Sequence, residues 1–344
     1  MGPHPAVAQV RTSVRTCLRD LVGAHSGRVL VAVSGGGDSL ALLAATCFVA
    51  PRLGLRVGAV TVDHSLQEES AQRASAVAAA AARQGADPVS IWHLTVTGPG
   101  GPEGAARRLR YEALHCAARA ARADAVLLAH TRDDQAETVL LGLGRGSGAR
   151  SLSGMPAVNG LMRRPLLDLP RSLVREAAEA SAATLGVAVW DDPHNADAAY
   201  ARARVRHVAL PTLEQQVGPG VAAALARTAA LLRDDCDALD EWAERERGRL
   251  LRRGPDGTLD VDAVGLSCLP RAVRTRVLRL AALAAGAPAG DLRHGHVTTL
   301  DSLVMTDVAG SVADLPGVQA HRAAGLLRLQ RRDNRPADRA DVAG

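Results

Sequence analysis

The sequence predicts an α/β protein: a parallel, twisted sheet with helices on both faces, followed by a smaller, mostly helical domain. Three observations carry that expectation. Short apolar, β-branched runs alternate with helical stretches through residues 29–216, which implies crossover connections and a parallel sheet. These runs end in polar residues, at the strand ends where parallel sheets hold ligands. From residue 217 onward the pattern turns to long helical runs.

The first strand is "VLVAV", Val29–Val33, apolar throughout and so expected to be buried. "SGGGDS" (34–39) follows, then a helix over Leu40–Phe48. Val57–Val62 reads as a second strand. "EESAQRASAVAAAAARQG" reads as an amphipathic helix stopped by Gly85. "PVSIWHLTV" is a third strand, "GPEGAARRLRYEALHC" a helix after a Pro/Gly loop, and "ADAVLLAH" a fourth strand. "DDQAETVLLGLGRG" and "SLVREAAEASAATLG" read as helices and "VAVWDD" as a short strand or extended piece. "NADAAYARARVRHVALPTLEQQ" reads as helical until Pro211. Pro219 and Gly220 mark a linker. Beyond it lie "AAALARTAALLRDDCDALDEWAERERGRLLRR", a second helical run from Pro270, and two short strands in "DLPGVQAHRAAGLLRLQRR". The domains are expected at 1–216 and 217–330, with a loose tail at 331–344.

Composition narrows the functional classes. The chain has 344 residues, a formal charge of +5 and no lysine, so all 41 basic residues are arginine. That mild excess permits a polyanionic partner without requiring one. Cys17, Cys47, Cys116, Cys236 and Cys268 form no CxxC pair, which argues against a zinc ribbon, an iron–sulfur site or a disulfide framework. Free thiols and the absence of an apolar run long enough to span a bilayer point to the cytoplasm and to no membrane partner. Aromatics make up 2% of the chain, too few for a base-stacking sheet.

The loop between the first strand and helix carries chemistry. Gly35, Gly36 and Gly37 let the backbone turn sharply and approach a ligand closely. Asp38 and Ser39 stand where the helix begins, and its unpaired N–H groups and positive end suit an anion such as a polyphosphate. The alternative is a strand–helix turn that binds nothing. The Walker pattern is excluded for want of lysine, and the dinucleotide pattern GxGxxG fails at Leu40. The string resembles SGGxDS, the pyrophosphate loop (PP-loop) of Rossmann-like N-type ATP pyrophosphatases. Those enzymes split ATP to AMP and pyrophosphate to adenylate a carbonyl oxygen.

A second constellation lies in "AHTRDDQAET", where His130, Asp134 and Glu137 are spaced i, i+4, i+7. Read alone, it is either a helix-capping cluster or a set of acids on one helix face. With "VDHSLQ" (62–67), "EGAARRLRY" (103–111), "LGRGSG" (143–148), "RPLL" (164–167) and "DDPHNADAAYARARVR" (191–206), the chain resembles the bacterial tRNA(Ile)-lysidine synthetases over residues 27–215. Beyond 216 the likeness rests on helical character and a "DLPG" turn.

The resemblance implies an activity. ATP adenylates C2 of the wobble cytidine in an isoleucine tRNA with a CAU anticodon, and free L-lysine displaces AMP to leave lysidine. It implies ATP contacts from Ser34, Gly35, Gly36, Gly37, Asp38, Ser39, Asp63 and His64, with Asp38 holding Mg2+. It implies that Asp134 and Glu137 bind lysine, and that His130 acts as base or phosphate contact. Arg107, Arg110, Arg145, Arg202 and Arg206 would meet phosphates or tRNA, while Asp192, Asn195 and Tyr200 brace the site. Gln67 and Ala203 depart from the family pattern and are assigned no role. A homodimer is allowed. The rival readings are another PP-loop enzyme, such as a tRNA thiolase or an amide former, and a nucleotide-binding module without turnover. His294 and His296 have no nearby acid or thiol in the sequence and read as surface residues.

Overall fold

The computed structural model describes residues 2–23, 25–63, 70–94, 101–146, 148–190, 197–254, 256–306 and 308–332. The chain divides into two compact units, Met1–Arg233 and Asp234–Gly344.

The first unit opens with a helix that the sequence reading missed, α1 (Pro5–Leu18). Its buried residues Ala6, Val10, Val14 and Leu18 recur every fourth position, so they share one face. Pro5 stands at the start, where its missing N–H costs nothing. Then come β1 (Arg28–Ala32), α2 (Gly37–Val49), β2 (Arg56–Asp63), α3 (Ser70–Arg83), β3 (Val89–His93), α4 (Gly101–Ala120), β4 (Ala125–Leu127) and α5 (Arg132–Gly144). The short α6 (Ala149–Leu152), the two-residue strands β5 (Val158–Asn159) and β6 (Met162–Arg163), and α7 (Arg171–Leu185) follow.

The sheet runs β3-β2-β1-β4-β6-β5, parallel throughout except for β5 against β6. Successive side chains of a strand face opposite ways. Val29 and Val31 accordingly join a core with Leu40, Leu43 and Val174, whereas Leu30 and Ala32 join another with Leu114, Ala118 and Met162. Helices therefore cover both faces, which is why β1 reads as an unbroken apolar run. Val29 lies beside Val57 on one side and Ala125 on the other. The chain thus leaves β1 in one direction for β2 and β3 and returns on its far side as β4. A crevice opens at such a switch point, beyond the carboxyl ends of the strands.

After α7 the chain is extended rather than in a strand at Val187–Trp190. A short helix α8 (Ala201–Arg204) runs into a π-helical turn, Val205–Ala209, and then α9 (Leu210–Gln216). Pro211 does not end the helix: it sits in the first turn of α9, where proline is tolerated. The division between the units falls within α10 (Val221–Leu250).

The second unit has the expected helical character in α10, α11 (Ala263–Ser267), α12 (Arg271–Ala284) and α13 (His294–Met305). It also carries a five-stranded antiparallel sheet, of which only the last two strands were expected. The strands are β7 (Leu251–Arg253), β8 (Leu259–Asp262), β9 (Val312–Leu315), β10 (Val318–Ala323) and β11 (Leu326–Arg331), ordered β7-β8-β11-β10-β9. Leu327 and Leu329 of β11 and Val318 and Ala320 of β10 alternate inward and meet Val277, Leu278 and Leu300.

Candidate active site

The loop after β1 lies at the switch point. Gly35 takes φ +87°, a left-handed conformation that side chains rarely adopt. The first helical bond of α2 runs from Leu40 N to Gly36 O at 3.1 Å, so the preceding amides have no intrahelical acceptor. Ser39 is buried and ties the loop together. Its Oγ donates to Gly36 O at 2.8 Å and accepts from Ser34 N at 3.2 Å. From outside, Trp190 N donates to Gly35 O at 3.1 Å. A Cβ added to Gly37 would stand 3.4 Å from Val189, so the Val189–Trp190 segment lies directly on the loop.

A cavity of about 250 Å³ opens beside these residues. Ser34, Gly36, Gly37, Asp38 and Ser39 form one wall. His130 and Asp134 stand in the lining, with Arg110, Arg171, Arg175, Arg202 and Arg206 completing a strongly cationic surround. A second cavity of about 200 Å³, lined by Arg107, Tyr111, Leu114 and Leu128, shares Arg110 and His130 with the first.

Among the described residues Asp38 Oδ1 is buried with no hydrogen-bond partner, and Oδ2 lies 3.7 Å from Arg171 Nε. Burial pushes its carboxyl up to about 6, against the opposing pull of Arg171. Asp134 uses its two oxygens differently. Oδ2 accepts from Thr131 N at 2.8 Å and Thr131 Oγ1 at 2.9 Å, capping α5. Oδ1 accepts from Arg171 Nη2 at 2.8 Å and Arg206 Nη2 at 3.2 Å. Burial would raise the Asp134 carboxyl, yet Arg171 and its other partners hold it below the ordinary range.

Glu137 is fully buried and is not part of the cavity lining. Arg171 reaches its Oε1 at 3.1 Å, Arg202 its Oε2 at 3.0 Å, and Arg206 its Oε1 and Oε2 at 2.7 and 3.1 Å. Both residues expected to be lysine ligands therefore hold guanidinium groups here, and only Asp134 faces the cavity. His130 Nδ1 is buried without a partner among the described residues, and burial drives its imidazole well below the ordinary value. Burial therefore holds it in the neutral form, a hydrogen-bonding group rather than a cation.

The remaining expected residues divide. Arg110, Arg202 and Arg206 line the first cavity and Arg107 the second. Arg145 is exposed at the C-terminal end of α5. Asp63, buried at the end of β2, is engaged by His93 Nδ1 at 3.1 Å and does not line the first cavity. His64, Asp192 and Asn195 lie outside the described residues. Arg171, Arg175 and Trp190 are the charged or aromatic lining residues that sequence reasoning missed. A signal existed for Arg171. It opens a helix whose first turn contains no acid, where the helix dipole disfavours a cation. Such a cation must be compensated from elsewhere in the fold.

A glycine loop at the head of α2, at a switch point and facing Asp134 of α5, defines an enzyme of the PP-loop class, and residues 8–213 match the PP-loop domain family. Over 93% of its length the chain is 57% identical to a tRNA(Ile)-lysidine synthase of Thermobifida fusca, covering 96% of that protein. Those of Streptomyces coelicolor and Salinispora tropica are 48% and 51% identical over 96% and 94% of the chain, and 99% and 96% of theirs. This chain belongs to the tRNA(Ile)-lysidine synthase family. Its fold is also similar to a U34-tRNA thiolase from Methanococcus maripaludis, with TM-score 0.54 and 20% identity over 66% of this chain and 80% of that one.

Proposed function

We propose that this protein joins free L-lysine to C2 of the wobble cytidine of an isoleucine tRNA with a CAU anticodon, converting ATP to AMP and pyrophosphate. The observation that supports it is one cavity holding the glycine loop, a half-buried acid at its lip and a second acid on the facing helix. The amides heading α2 would receive the phosphates, with Ser39 keeping the loop in shape. Arg110, Arg175, Arg202 and Arg206 supply fixed positive charge for phosphate oxygens of ATP or tRNA.

Mg2+ fits the site. Among the described residues Asp38 Oδ1 is buried and unpartnered, and no three His, Cys, Asp or Glu side chains gather as a metal cage. Such a site suits an ion held by one carboxylate and by phosphate oxygens. When bound, the ion neutralises charge on the departing pyrophosphate. Asp134 draws in the lysine ammonium group, Glu137 holds the arginines around it, and neutral His130 stands in the lining as an uncharged hydrogen-bonding group for the amine or a phosphate oxygen. Among the described residues no helix is long and apolar enough to cross a membrane. Cys17, Cys47, Cys116, Cys236 and Cys268 are all free thiols, which agrees with a cytoplasmic setting.

The test is incubation with ATP, Mg2+, radiolabelled lysine and total bacterial tRNA. Label is expected in a single cytidine-derived nucleoside, only with ATP present. Pyrophosphate release that continues unchanged without lysine, with no label in tRNA, would overturn the reading.

A further inference from the structure

Arg171 connects parts of the cavity that belong to different elements. Its backbone N–H donates to Asp133 Oδ2 at 2.8 Å. Its Nη2 donates to Asp134 Oδ1 at 2.8 Å, and Nη1 and Nη2 both lie 3.1 Å from Glu137 Oε1. Its Nε faces Asp38 Oδ2 at 3.7 Å. The side chain is only 13% exposed. One guanidinium from α7 thus meets the acid at the head of α2 and two acids of α5.

The geometry requires arginine. The planar fork directs donors along several fixed directions, whereas an ammonium group is a point charge on a flexible stem. A lysine here would keep the charge and lose the bridge. Without any cation, Asp38 and Asp134 would face each other across a cavity with nothing between them, and like charges at short range repel.

We propose that Arg171 is a positioning residue that couples the two halves of the site: it sets Asp38 for the metal–triphosphate and, braced by Glu137, sets Asp134 for the lysine ammonium group. The inference rests on the functional reading above. It has a consequence that a purely structural arginine would not: one substitution must weaken two chemically unrelated substrates together.

Steady-state lysidine formation by the full-length protein tests this. The KM for MgATP and the KM for lysine are measured separately for wild type, Arg171→Lys and Arg171→Gln, with thermal unfolding as the check on folding. Arg171→Lys keeps the charge, so it carries the test if Arg171→Gln does not fold. Arg171→Lys is expected to raise both KM values about tenfold, as loss of charge-assisted hydrogen bonds predicts, while kcat stays within about threefold. In an Asp134→Asn background the same change should add less than about threefold to the lysine KM, because the two residues share one contact. A rise in only one KM, a loss confined to kcat, or full additivity with Asp134→Asn would overturn the inference. Wild-type protein that labels no tRNA would instead overturn the functional reading, and this inference with it.

Discussion

Arg206 donates from Nε to Oε1 of Glu137 at 2.7 Å, joining residues 69 positions apart in the chain, and Glu137 has no exposed surface. A carboxylate so placed works through the cations it holds. Arg171, Arg202 and Arg206 all converge on it from the segments that follow β6, so it fixes the charged rim of the cavity.

Glu137→Gln should therefore cost both stability and substrate affinity. The amide is neutral and turns one donor toward guanidinium groups that need acceptors. Breaking a buried charge network costs about 3–5 kcal/mol, to be read by denaturant unfolding. The lysine KM should rise more than the ATP KM, because two of the arginines that Glu137 holds, Arg171 and Arg206, both bond Asp134 Oδ1 at 2.8 and 3.2 Å, whereas of the two only Arg171 approaches Asp38, at 3.7 Å. A stability loss below about 1 kcal/mol, or equal effects on the two KM values, would count against this role.

Asp38→Ala should behave in the opposite way. Among the described residues Asp38 Oδ1 has no partner and Oδ2 has a 3.7 Å approach to Arg171, so its removal should leave the melting temperature almost unchanged. Pyrophosphate release should disappear, since the metal–phosphate complex loses its protein carboxylate. Near-normal AMP production by this variant would refute the assignment of the loop.

His130 makes stability depend on pH in a definite direction. Burial holds its folded pKa well below the ordinary 6.5. Below that pH the unfolded chain takes up a proton at this position that the folded chain does not. Stability is therefore fully present above the unfolded value and is lost as pH falls from there toward the folded pKa. His130→Asn should show a shallower fall in melting temperature between pH 6.5 and 4.5 than wild type. Parallel curves would mean that the imidazole is not held neutral.

Arg274 and Asp301 provide a test remote from the cavity. Arg274 Nε donates to Asp301 Oδ1 at 2.6 Å, and both residues are at most 7% exposed. Arg274→Met alone leaves a buried carboxylate short of its main partner and should cost about 3–5 kcal/mol. Arg274→Met combined with Asp301→Leu should recover most of that loss in urea unfolding. No recovery would show that packing, not charge pairing, sets the cost.

The legible parts of the fold share a physical trait. β1 is buried on both faces and so is apolar at every position, and the loop after it needs residues without side chains; both leave a visible mark. α1 left a weak mark, because its buried face includes Ala6 and small aliphatics among arginines. β5 and β6 are two residues long, too short for any periodicity. β7, β8 and β9 have three or four residues each, and their alternation is lost beside long helices. Pro211 was misread because proline stops a helix in its interior yet suits its first turn. Within the site, Asp38, His130 and Asp134 were visible through short-range spacing. Arg171 was not, since its partners lie 34 to 38 positions earlier on α5 and on α2.

The cationic side chains that line the cavity are all arginines, which bears on how its chemistry can be followed. No side chain in this protein carries a primary amine, and guanidinium groups remain protonated throughout the working pH range. The substrate's own nitrogen would then be the titrating amine among the cavity's cations. Isotope introduced as lysine cannot enter the polypeptide during its synthesis, so any counts that travel with the purified protein report captured amino acid or modified RNA, free of background from the enzyme itself.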